Sequence, residues 1–176
     1  MVKRGKTVPV NERQFHGPKD YLDLARSPEA TPDDLRFLAM SPYSFVVEAV
    51  AAHPATPVDV LDEIILRSVS TWSDQEIVLA LAKNPHSTGA AFAAIASFVP
   101  TCLHIRDAHQ VFHAGIVLFE RDDVPDRVLF AMLDSDEVTT EFRKVAARQT
   151  THPAVVERLL KDRSERVRRA AERRTQ

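Results

Sequence analysis

Residues Ser41–Ile64 read SPYSFVVEAVAAHPATPVDVLDEI, and their apolar spacing decides the fold. Val47, Val50 and Ala51 fall at i, i+3 and i+4, the stripe of one helix face. His53-Pro54 stops that helix, because a proline ring cannot continue the hydrogen-bond ladder and restricts the residue before it. Thr56 then offers a hydroxyl as N-cap, Pro57 suits the first helical position, and Asp59 sets negative charge at the positive end of the next helix dipole. Leu61, Ile64 and Ile65 repeat the stripe. The segment predicts a helix, a proline corner and a second, shorter helix.

The same phrase returns along the chain. Its second-helix triplets are Leu35/Leu38/Ala39, Leu61/Ile64/Ile65, Phe92/Ile95/Ala96, Leu129/Met132/Leu133 and Val156/Leu159/Leu160. Its first-helix triplets are Val47/Val50/Ala51, Val78/Leu81/Ala82, Phe142/Val145/Ala146 and Val167/Ala170/Ala171. Thr31-Pro32-Asp33-Asp34 precedes the first triplet, Ser73 and Glu76 read as a capping box, and Ser27-Pro28 and Asn84-Pro85 repeat the terminator. Self-similarity at this period marks a stacked helical repeat, each unit burying its apolar face only against its neighbours. The second-helix triplets begin at 35, 61, 92, 129 and 156, so the central units carry insertions.

Ser41–Ile64 resembles the variant leucine-rich repeat, whose pattern is a Val-x-x-x-Val-Ala helix, an Asn-Pro corner and a Thr-Pro-x-x-Leu-Leu-x-x-Leu segment. SDQEIVLALAKNPHSTGAAFAAI (Ser73–Ile95) is similar, and DSDEVTTEFRKVAARQTTHPAVVERLL (Asp134–Leu160) is a looser copy. The resemblance covers roughly residues 20–172. It implies a right-handed all-α solenoid of about five units, alternating α-helices with shorter, often 3₁₀, helices and having no strand. Some relatives add a cysteine-rich iron–sulfur module; Cys102 is the only cysteine here, so this chain has no such module. The matching positions are core and caps, so the resemblance speaks to fold and not to function.

A chain of 176 residues with 44% apolar content has enough for one continuous core. The single cysteine suits a reducing compartment, and no run approaches the roughly 18 apolar residues of a membrane span. Lys3, Arg4 and Lys6 supply the basic start of a signal peptide, but no apolar region follows them. The expectation is a soluble cytoplasmic protein without a membrane partner. Residues 1–19 are expected to be a basic flexible arm, and residues 20–176 one helical-repeat domain interrupted by an insertion at about 97–113.

The net charge of −2 hides a segregation. Residues 1–19 hold five Lys/Arg against one acid, residues 143–176 eleven against four, and the middle seven against twenty. Such a body either meets its own basic ends, steers a basic partner, or delivers its basic tail to an anion.

Cys102, His104, His109 and His113 are the only cluster of metal-ligand residue types. His109 and His113 share a helix face, as zinc binding requires, with Cys102 or His104 folding back and Asp107 orienting an imidazole. The glutamate of a His-Glu-x-x-His motif is absent, and Asp107 is better placed as a helix N-cap, so an ordinary insertion is the expectation. Arg163, Arg166, Arg168, Arg169, Arg173 and Arg174 surround the stripe Val167/Ala170/Ala171. That pattern is the polar outer face of a capping helix, or an anion and nucleic-acid face carried by Arg163, Arg166, Arg169 and Arg173. Trp72 beside Asp74 is the one tryptophan–carboxylate pair that a HEAT-like DNA glycosylase would need, and the acidic body around it repels DNA. Tyr43, Phe45 and Phe112 are expected in the core. The pairs Asp33-Asp34 and Asp122-Asp123 lie just before or within first helical turns, where the helix dipole accounts for them. With no Gly-rich phosphate loop and no nucleophile motif, the chain is expected to have no catalytic residue and no cofactor. The leading expectation is a non-enzymatic scaffold that binds a protein. The alternative is a nucleic-acid-binding protein acting through its Arg-rich C-terminal helix.

Overall fold

The computed structural model describes residues 14–68 and 75–174. Ser73, Trp72 and Asp74, and most of the N-terminal arm, lie outside those residues. Eleven helices run through the described residues, with no strand among them: α1 (Pro18–Ala25), α2 (Pro32–Ala39), α3 (Ser44–Ala52), α4 (Val58–Ser68), α5 (Gln75–Lys83), α6 (Gly89–Cys102), α7 (His109–Glu120), α8 (Asp126–Leu133), α9 (Thr140–Gln149), α10 (Pro153–Leu159) and α11 (Glu165–Glu172). None of them is long and apolar enough to cross a membrane.

Local chemistry starts and stops these helices. Thr31 accepts from the Asp34 amide at 3.2 Å while the Asp34 carboxylate accepts from the Thr31 amide at 2.9 Å, so α2 opens on a complete capping box. Thr139 caps α9 by accepting from the Phe142 amide. Two expected caps fail. The Thr56 hydroxyl turns back to donate to Val50 O at 2.6 Å, closing α3, and the first turn of α4 hangs from Pro57 O. Asp107 is exposed, and α7 starts from Ala108 with no side-chain cap.

The helices form two rows. Odd-numbered helices pack in sequence from α1 to α11, even-numbered ones from α2 to α10, and the two rows pack on each other along most of their length. Every triplet residue is buried except Val145 and Leu160, which are half-buried. The even row is α-helical throughout, seven to fourteen residues per helix, so the 3₁₀ helices implied by the resemblance are not found among the described residues. Proline in the first turn of α2 and α10 and apolar contacts on both sides support full α turns there.

Residues 97–113 fall in the last turns of α6, a turn-rich connection and the first turn of α7. Helix α7 is a full member of the odd row, packing on α5 and α9. Its buried stripe is Val111, Ala114, Gly115, Leu118 and Phe119. At Gly115 an added Cβ would meet the Phe142 ring and Val99 at 2.8 Å, so the absence of a side chain is what lets α7 seat against α6 and α9.

A hydrogen-bonded seam links the corners. His53 places Nε2 3.0 Å from Ser27 O. Asn84 donates from Nδ2 to Ala51 O at 2.7 Å and His53 O at 3.0 Å. Arg121 donates from Nη1 to Ala82 O at 3.0 Å and Asn84 O at 2.6 Å, and its guanidinium lies 4.8 Å from the Phe92 ring centroid. His152 Nε2 lies 2.8 Å from Arg121 O. Each corner residue thus reaches back to carbonyls at the C-terminal end of the preceding odd-row helix or in the turn after it; Ser27 O, His53 O, Asn84 O and Arg121 O also accept an amide of their own turn.

Candidate interaction surfaces

The two ends of the helix stack carry surfaces of different character. At the N-terminal end Phe15 stacks on Tyr21 at 4.2 Å and lies 5.9 Å from Phe37, while Tyr21 meets Tyr43 edge-on at 6.2 Å and Tyr43 stacks on Phe45 at 5.5 Å. The core placement expected for these rings holds for the half-buried Tyr43 and Phe112, which pack against it, but not for Phe45, which is 39% exposed. Phe45 lies two residues from Val47, on the far side of α3 from the buried stripe. Phe37 and Met40 are also exposed.

One turn after Phe45, Glu48 is half-buried on α3. Burial, and then the neighbouring Glu76 carboxylate of α5, hold Glu48 above its usual value, while Arg26 pulls it the other way. Gln110 of α7 donates to Glu76 at 2.9 Å. Glu48, one turn along α3 from the exposed Phe45, thus feels the negative charge of Glu76 on the neighbouring α5.

The C-terminal end is basic. Lys144 and Arg148 of α9, Arg166 and Arg169 of α11 and Arg173 just after it line a hollow of about 180 Å³, with Ala170 also in its lining. Lys144 pairs with Glu141 and Arg169 with Glu165, each at 2.5 Å. Arg148, Arg166 and Arg173 have no ion pair among the described residues. Of the four arginines singled out from sequence, three share this groove. Arg163 does not; it lines a separate hollow with Arg143, Arg158 and Asp162. Lys144 and Arg148 are the residues that sequence reading missed, although their i, i+4 spacing puts both on one face of α9.

At that second hollow a buried ion pair ties α9 to the turn before α11. Arg143 Nε donates to Asp162 Oδ2 at 2.8 Å and Arg143 Nη1 to Val138 O at 2.6 Å, with both charged side chains at least nine-tenths buried. Arg168 adds a bond from Nη1 to Asp162 O at 2.7 Å.

The metal-ligand cluster does not assemble. Cys102 is buried while His104, His109 and His113 are exposed, and no three His, Cys, Asp or Glu side chains among the described residues converge on one point. The Trp72 and Asp74 pair lies outside the described residues. No family model, curated protein or solved structure matches this chain.

Proposed function

We propose that this chain is a non-enzymatic scaffold of the variant leucine-rich kind, a right-handed solenoid whose N-terminal end binds a basic protein segment bearing apolar anchors. The observation that carries the reading is the exposed Phe37 and Phe45 with their ring neighbours, one turn from Glu48, whose carboxyl pKa is raised by burial and by the charge of Glu76. Exposed rings offer large contact area and a face for cations, and rings of this kind dominate protein interfaces. A lysine or arginine brought by the partner relieves the repulsion between the two acids, which Arg26 offsets only in part. The acidic middle of the chain favours the same class of partner by steering it.

The test is a peptide array graded in charge and aromatic content, followed by photo-crosslinking from position 45 in cells. Basic peptides with apolar anchors are expected to bind, and Phe37→Ser with Phe45→Ser to abolish both binding and crosslinks. Crosslinks to nucleic acid alone, or binding indifferent to these substitutions, would reject the reading.

A further inference from the structure

At the opposite end of the molecule, we propose that the groove between α9 and α11 binds the sugar–phosphate backbone of duplex nucleic acid without reading its sequence. The claim is independent of the protein-binding reading, since the two surfaces share no residue.

Three features select the ligand. Arg166, Arg169 and Arg173 are spaced three and four residues apart, so they form a row about 10 Å long at 1.5 Å rise per residue. Lys144 and Arg148 line the other side of the same groove from α9, which packs along α11. A single phosphoryl group occupies only part of such a row, whereas duplex strands present phosphates every ~3.4 Å of axis. A linear polyanion engages the whole of it.

The lining excludes other modes. It contains no aromatic residue, so bases have nothing to stack on, and single strands lose the contact that normally holds them. It contains no Asn or Gln, so the groove's readers are arginine and lysine directed at phosphate. The apolar stripe of α11, Val167, Ala170 and Ala171, is buried in the stack and has nothing to insert into a membrane. Arginine is the residue suited to forked phosphate contacts, and Arg148, Arg166 and Arg173 are not committed to acids.

The experiment uses the full chain and a fluorescent random-sequence 20-base-pair duplex, in DNA and RNA forms, titrated by anisotropy across salt. Binding is expected to be weak, at about 10⁻⁴–10⁻⁶ M near physiological salt, and equal for unrelated sequences. Three phosphate contacts at about 0.9 each predict a loss of about 40-fold between 50 and 200 mM salt. The triple variant Arg148→Gln, Arg166→Gln and Arg173→Gln should flatten that dependence by about 2.7 in slope. A charge-matched control, Arg26→Gln, Arg106→Gln and Arg127→Gln, removes three exposed cations elsewhere and should leave binding unchanged. Equal loss in the control would show diffuse charge attraction and overturn the site. So would tighter binding of single strands, of inorganic polyphosphate, of a singly phosphorylated peptide or of anionic vesicles than of the duplex, or no binding at low salt. Melting curves of both triple variants verify that each remains folded.

Discussion

Asn84 donates to the carbonyl of His53 at 3.0 Å, and His53 in turn places its Nε2 3.0 Å from the carbonyl of Ser27, one corner further back. The seam is directional: every corner side chain reaches toward the N-terminus to close the odd-row helix before it. Asn84 is buried, so what it satisfies cannot be taken over freely by water.

Asn84→Ala should therefore destabilise the fold by about 1–3 kcal/mol, because it takes the side-chain donor from Ala51 O and leaves His53 O with the Thr56 amide alone. Asn84→Asp should cost more, because a carboxylate has no donor and repels Ala51 O and His53 O. Urea unfolding followed by circular dichroism measures both. An Asp variant as stable as wild type would show that the seam is not energetically important.

Gly115→Ala should cost about 1–3 kcal/mol by overpacking, even though alanine is the better helix former. The added methyl meets Phe142, a fully buried ring held on its other sides by Phe112 and Phe119. Thermal unfolding decides the sign: a rise in Tm would mean that propensity outweighs the clash.

Asp162→Ala should cost about 3–5 kcal/mol, since it strands the buried guanidinium of Arg143. Replacing both partners by apolar residues, Arg143→Met with Asp162→Leu, should recover much of that loss. A double-mutant cycle in urea measures the coupling. Additive single effects would count against a direct pair.

Glu48→Gln should raise Tm at neutral pH and leave it nearly unchanged in acid below the ordinary glutamate range. Because the folded pKa is raised, the folded state binds more protons than the unfolded one between the two values. Stability therefore falls as pH rises through that window, and the penalty stays in place at neutral pH. A Tm gain that persists at low pH would indicate a packing effect instead.

Helix stripes were legible in the sequence because a 3.6-residue period is a local property. Leu61/Ile64/Ile65 and Val78/Leu81/Ala82 are buried as their spacing requires. Helix α7 was harder to read, since Ala114–Phe119 is a continuous small or apolar run with a glycine inside it, and continuity hides the period. The corner prolines announce where helices stop, but not that His53, Asn84 and Arg121 reach carbonyls 26 to 39 residues earlier. Half of the basic groove was readable as the Arg166, Arg169 and Arg173 spacing. The other half required knowing that α9 stacks on α11. Phe45 shows a signal present but unused: two residues from Val47 is about 200° around the helix, which points it outward.

The backward reach of the corner side chains also bears on synthesis. Because His53, Asn84, Arg121 and His152 each bond to a carbonyl that has already been made, a nascent chain can complete each corner without waiting for anything downstream. Folding of the described helices can then advance from α1 toward α11 in step with translation, one corner at a time.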